Sequence, residues 1–192
     1  MSGEAQTIAL QLECERIQKN LDELNVTAPA FAVESGAGRD GAVRRRVEAL
    51  ISTLDTQSRT RLLDEWFGWG PIAPLLARDD ATEILINWPD AIWFETKGKL
   101  QRHPDTFLSA TTFRNFTLRL AREASMQPTL DCPFADGKWG DFRVHMALAP
   151  SASVPVAIAL RRHPKSPWTF ESLEAAEWAS GSAMGALRTL VR

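Results

Sequence analysis

Residues Gly68–Leu100 read GWGPIAPLLARDDATEILINWPDAIWFETKGKL. The pattern alternates turn chemistry with short apolar runs. Pro71 and Pro74 flank a short helical turn that ends near Leu76-Ala77. Thr82 to Asn87 reads as a strand with Ile84 and Ile86 on one face. Asn87-Trp88-Pro89-Asp90 is a turn, because proline presets φ and the Asn and Asp side chains bond locally. Ala91 to Glu95 is the next strand, Ile92 and Phe94 alternating with Trp93 and Glu95. Lys97-Gly98 then makes a hairpin into Lys99 to His103. Connections this short force antiparallel pairing. The fold class predicted is therefore α+β, an antiparallel sheet flanked by helices and preceded by an N-terminal helical region.

Working back toward the N-terminus, residues 6–24 read as an amphipathic helix. Leu10, Cys14, Ile17, Leu21 and Leu24 recur at spacings of four and three, a narrow apolar seam. Two heptads cannot hold an isolated helix together, so the seam needs a partner within this chain or on another copy. Residues 25–41 carry Pro29, Ser35, Gly36, Gly38, Asp40 and Gly41 and read as a linker. Ala42 to Leu54 reads as a helix with Val43, Val47, Leu50, Ile51 and Leu54 on one face. Arg44, Arg45 and Arg46 fall at its start, where a basic run opposes the helix dipole. That is a hint of an acidic or phosphate partner, set against the plainer reading of a solvated face. Asp55 or Thr56 caps a further helix that Gly68 stops.

Working forward, Ser109 caps a helix to about Met126, buried along Phe113, Phe116, Thr117, Leu120 and Ala124 and ended by Pro128. Two strands follow, Phe142 to Leu148 and Val154 to Arg161, joined by the small polar loop Ala149–Ser153. Helix resumes after Thr169, breaks at Ser180-Gly181-Ser182, and continues with Ala183, Leu187 and Leu190 on one face. Three segments result: a helical region over 1–67, the α+β domain over 68–168, and a helical linker over 169–192.

Composition narrows the function classes. The net charge of −2 gives no bulk electrostatic pull toward nucleic acid or anionic lipid. The two cysteines, Cys14 and Cys132, stand far apart in no metal-ligand spacing, which fits a reducing, cytoplasmic setting. No window approaches the roughly 20 apolar residues of a membrane span. The N-terminus lacks the basic and apolar runs of a signal peptide. His103, His145 and His163 are scattered. Asp131, Asp136 and Asp141 are spaced by five, open to a cation but more simply a solvated turn. Cys132 has only Lys138 near it in sequence to activate it. No catalytic constellation emerges, and no metal site is assigned.

The order of pieces in the opening stretch resembles the N-terminal domain of the type II/type IV secretion and pilus-assembly ATPases, and most of all the Tad (Flp, type IVb) pilus branch. The matching pieces are Gly68-Trp-Gly-Pro-Ile-Ala-Pro-Leu-Leu76, Thr82-Glu-Ile84, Asn87-Trp-Pro-Asp90 and Gly98-Lys-Leu100. The resemblance continues through the Phe113 helix, Asp136-Gly137, Arg143-Val144 and Leu160-Arg161-Arg162, covering about residues 42–190. It departs where Pro133 replaces an arginine of the family pattern, where extra residues Lys138 to Phe142 precede Arg143, and where Trp88 follows the turn asparagine. Family members carry a motor domain with a P-loop. The two Gly-Lys pairs here, Gly98-Lys99 and Gly137-Lys138, lack its spacing and its Ser/Thr. The resemblance places the start of such a motor just beyond Arg192.

What the resemblance implies is a nucleotide-clamping, ring-forming region that hydrolyses no ATP alone. ATP and Mg would be held only in the context of the motor. The implied partners are its own or another motor domain and an inner-membrane platform protein. The implied assembly is a hexamer on the cytoplasmic face of the inner membrane. Arg143, Arg161 and Arg162 take the phosphate-contact role by position in the family pattern, against the local alternative that Arg143 and Arg161 pair with carboxylates such as Asp136 or Asp141. A second reading is a stand-alone adaptor of the same fold that docks on such an ATPase without binding nucleotide.

Overall fold

The computed structural model describes residues 3–23, 37–149, 155–163 and 168–190. They divide into two units, Met1–Arg162 and His163–Arg192.

The first unit is built on six strands: β1 (Ala81–Trp88), β2 (Ala91–Thr96), β3 (Lys99–Arg102), β4 (Phe134–Trp139), β5 (Phe142–Leu148) and β6 (Val156–Arg162). Every neighbouring pair is antiparallel, in the order β3-β2-β1-β6-β5-β4. Tight turns make two meanders. Lys97 and Gly98 both take positive φ (52° and 72°), the left-handed pair of a type I′ turn. Gly140 alone does so between β4 and β5 (φ 54°), the pattern of a type II′ turn. The meanders meet at the β1–β6 pairing.

Alternate residues of each strand face a helical layer. Ile84, Ile86, Ile92, Phe94, Phe142, Val144, Met146, Ile158 and Leu160 are buried there with Phe113, Phe116 and Leu120 of α5 (Ala110–Glu123). Ser109 caps α5 through a box with Thr112. The helix stops earlier than its apolar period predicts. Ser125 turns left-handed (φ 56°), and Met126 N–H reaches back to Ala121 O at 2.7 Å, a Schellman closure. Pro128 therefore follows the stop rather than causing it.

Strand β4 is the element that sequence reading missed. Its run FADGKW lacks β-branched residues, and its helix-facing positions are only half-buried. Gly137 sits where a Cβ would collide with the Ala124 carbonyl oxygen and lie 2.6 Å from Met126 Cγ. A bare backbone lets this edge strand pass against the end of α5.

A second core joins α1 (Gly3–Glu23), α2 (Ala37–Leu50) and α3 (Thr56–Phe67). Leu10, Cys14, Ile17 and Leu21 bury against Val43, Val47, Ile51, Leu62 and Trp66, so this part of the N-terminal seam is satisfied within the chain. Leu24 and residues 25–36 lie outside the described residues. The remainder of the expected linker is helix instead, since α2 begins at Ala37 and takes in Gly38, Asp40 and Gly41. Arg44–Arg46 consequently fall in mid-helix, where no dipole penalty arises. Arg44 pairs with Glu48 at 3.0 Å, and Arg46 bonds Asn20 Oδ1 at 2.9 Å. Asp55 caps α3, accepting from Ser58 N–H at 3.0 Å. A 3-10 turn (Gly70–Ile72) and α4 (Ala73–Leu76) lead into β1.

In the second unit α6 (Phe170–Ala175) has a Thr169–Ser172 capping box. Arg188 of α7 (Gly181–Leu190) reaches Glu174 at 3.1 Å and lies over the Phe170 ring. Of the expected shared face of Ala183, Leu187 and Leu190, Leu187 is half-buried. Met184 is buried, and Ala183 and Leu190 are exposed. The expected loop after Ala149 and the final residues Val191 and Arg192 lie outside the described residues.

No described helix is long and apolar enough to cross a membrane.

Candidate functional site

Residues directly opposite in antiparallel strands project to the same side of a sheet. The register therefore defines what the face away from α5 presents. One rank runs Lys138 (β4), Arg143 (β5), Arg161 (β6), Glu83 (β1), Glu95 (β2) and the exposed Leu100 (β3). The adjacent rank runs Asp136, His145, Ala159, Leu85, Trp93 and Arg102. Lys138, Arg143 and Arg161 are exposed; Glu83, Leu85, Trp93 and Glu95 are half-buried. The outer face is thus cationic over β4–β6 and anionic over β1–β2.

Two of the three arginines singled out from the sequence come together here, paired directly across β5 and β6. Each side chain is free to present a planar, permanently charged fork to phosphate or carboxylate oxygens. Arg143 leans on Asp136, with Nε and Nη2 both 3.3 Å from Oδ1. The same oxygen lies 3.4 Å from His145 Nδ1. His145 first and Arg143 second hold the Asp136 carboxyl below the ordinary carboxylate range. At this exposure the pairing is weak and exchangeable. The Arg161 side chain has no hydrogen-bond or ion-pair partner among the described residues.

Arg162 faces the other way. Its Nε donates to Ala81 O at 3.1 Å, and Nη2 donates to Leu76 O at 2.9 Å and Arg78 O at 3.0 Å. The guanidinium lies over the Phe142 ring, 4.3 Å from its centroid. It is a fastener between β6 and the entry to β1. The strand period separates it from Arg161 as surely as distance would.

Sequence reasoning missed Lys138, which the β4–β5 hairpin adds to the cationic end. Its signal was available in the extra residues Lys138–Phe142. Those residues are the hairpin itself, anchored on the helix side by Trp139, whose ring packs at a tilt against Trp69 (4.3 Å between centroids) and donates Nε1–H to Glu123 at 2.9 Å.

The buried charge of the unit lies elsewhere. Glu65 on α3 is fully buried and accepts from Arg61 Nη1 at 2.6 Å, from Leu108 N–H at 2.8 Å and from the Thr112 hydroxyl. Arg61 continues to Asp105 (2.7 Å) and Thr106 O (2.7 Å). This network ties α3 to the start of α5, and its members Arg61 and Asp105 also line an open cleft of about 1140 Å³ with Thr7, Leu10, Pro74 and Pro104. Cys14 beside it has its thiol pushed up to about 12, by burial first and the Glu65 charge second.

The remaining candidates scatter. His103 donates Nε2–H to Pro71 O (2.9 Å), Asp141 sits in the β4–β5 turn, and Cys132 is exposed. Among the described residues no group of three or more His, Cys, Asp or Glu is placed to hold a metal ion.

No family model matches the chain. Two proteins of Mycobacterium tuberculosis, from strains CDC 1551 / Oshkosh and ATCC 25618 / H37Rv and provisionally named conjugal transfer proteins, are each 31% identical to it over 120 residues. The match takes in 58% of this chain and 34% of each relative. Among solved structures, a crystal structure of the VirB11 ATPase from the Brucella suis type IV secretion system, in complex with sulphate, aligns with a TM-score of 0.47 at 15% identity, covering 66% of this chain and 38% of that one. The chain therefore spans about a third of the length of the curated relatives it matches.

Proposed function

We propose that this chain is the N-terminal region of a secretion-type ATPase serving conjugal transfer or Tad-type pilus assembly, and that Arg143 and Arg161 close over nucleotide phosphates held by a motor domain. The observation that carries the reading is the direct β5–β6 pairing of these two exposed arginines on the outer face. The similarity to the named conjugal transfer proteins supports the broader class. The Gly68–Leu100 pattern is the basis for the Tad branch.

Phosphoryl transfer is catalysed by positioning and by cations on developing charge, which is the service a pair of arginine forks can offer. Mg and ATP belong to the motor in this reading, and the chain alone turns over no ATP. The assembly would be a ring, a hexamer by family resemblance, on the cytoplasmic face of the inner membrane and in contact with a platform protein there.

The test mixes the chain with a Tad-family motor ATPase lacking its own N-domain and follows both mass by light scattering and ATP turnover. Complex formation with restored turnover is expected. Arg161→Ala should remove about 100-fold or more of the restored rate, as loss of a phosphate-contacting arginine does. A motor that binds the chain but turns over equally with Arg143→Ala and Arg161→Ala would overturn the clamp role. The contact between Arg143 and Asp136, which gives that arginine a local carboxylate partner, is the observation on the side of the second reading, a docking adaptor without nucleotide. Binding without any nucleotide dependence is its signature.

A further inference from the structure

The outer face of the sheet is complementary to itself. Its midline is the β1–β6 pairing, with three strands on either side. A two-fold axis parallel to the strands, placed over that midline, sets β1 of one copy on β6 of the other, β2 on β5 and β3 on β4. The ranks stay in register under this rotation. Arg161 then meets the second copy's Glu83, Arg143 meets its Glu95, and Asp136 meets its Arg102. Each contact occurs twice, as an isologous interface requires. Between them, half-buried Leu85 and Trp93 fall opposite Ala159 and His145.

We propose that this face pairs with the same face of a second copy of the chain, giving a two-fold dimer held by charge complementarity. The claim goes beyond the clamp reading and does not depend on it. Aligned sheets stack about 10 Å apart, which leaves room for opposed Arg and Glu side chains to interdigitate. Five inter-strand spacings of roughly 4.8 Å make the face about 24 Å wide, at the small end of specific interfaces. Desolvating the charges offsets much of their attraction, so the dimer is a weak, salt-sensitive one.

Sedimentation velocity on the 192-residue chain tests it. At about 100 µM protein a reversible dimer is expected in about 0.1 M salt, and monomer in about 1 M salt, where the screening length falls from about 10 Å to about 3 Å. The double variant Arg143→Glu/Arg161→Glu makes the rank acidic at all four positions from β5 to β2, and Glu83→Arg/Glu95→Arg makes the same four basic. Each alone should be monomeric, with circular dichroism confirming its fold, and an equimolar mixture should restore the dimer. A second pair, Arg102→Glu and Asp136→Arg, repeats the mixing test at an independent contact should one of the first variants fail to fold. Wild type that stays monomeric in low salt overturns the proposal. So does a dimer that survives the reversals, or a mixture that stays monomeric.

Discussion

Arg161 and Arg162 are adjacent in the chain and opposite in surroundings. Arg162 donates to three backbone carbonyls and covers Phe142. Lysine cannot reproduce a fork spread over three acceptors. Arg162→Lys should therefore cost about 1–3 kcal/mol, read as a lower urea midpoint. Arg161→Lys, on the exposed rank, should leave that midpoint within about 0.5 kcal/mol. Glu65 is the most demanding single residue. Glu65→Ala strands the Leu108 N–H and takes a buried acceptor from Arg61 and from the Thr112 hydroxyl, and should destabilise by about 3 kcal/mol, a large share of the stability of a domain this size. Cys14 is buried with its thiol raised to about 12, so one thiol, the exposed Cys132, should react with a disulfide reagent at pH 8 in the folded chain and two after unfolding. Asp80 gives a pH test. Arg78 first and Thr96 second bring its carboxyl from 3.8 to about 2. A carboxyl depressed in the folded state contributes stability above its unfolded value, and that contribution is lost as pH falls through the folded one. Thermal midpoints should fall between about pH 4 and about pH 2, and Asp80→Asn should flatten that slope.

At the scale of elements, most of the first meander could be read in advance because its turns carry their own chemistry. Pro89-Asp90 and Lys97-Gly98 fix where strands end, and the alternation of Ile84, Ile86, Ile92 and Phe94 says which side is buried. Strand β4 could not be read, because an edge strand of FADGKW has neither alternation nor β-branched residues, and what orders it is the distant end of α5. The same reasoning limits the candidate site. Arg143 and Arg161 were legible as a pair only through family pattern. That Arg162 belongs to the other face follows from strand period once the register is known. Glu65 gave no local signal strong enough to name it, and the signal of Lys138 lay in the extra residues that form the β4–β5 hairpin. Gly137 tests the packing of β4: Gly137→Ala drives a methyl into the Ala124 carbonyl, which belongs to rigid backbone, and should destabilise by about 1–3 kcal/mol.

Across the first unit, α3 belongs to one core and α5 to the other, and Glu65 on α3, bonded to Leu108 N–H and the Thr112 hydroxyl, is the rivet between them. The two proposed uses of the outer face, phosphate contact and pairing with its own copy, both fall on Arg143 and Arg161. The two uses exclude each other. Tripolyphosphate should therefore dissociate the dimer at an ionic strength where an equal charge of chloride does not, as sedimentation at matched ionic strength would show.

The meeting of β1 and β6 has a mechanical meaning too. Because the strands are antiparallel, Ala81 and Arg162 lie at the same end of their ladder. A pull applied through the chain entering β1 and the chain leaving β6 peels the ladder rung by rung instead of shearing all its bonds at once. The bonds from Arg162 to Ala81, Leu76 and Arg78 span that first rung and would bear the load before any other. The sheet is a zipper, and one side chain is the pin at its open end.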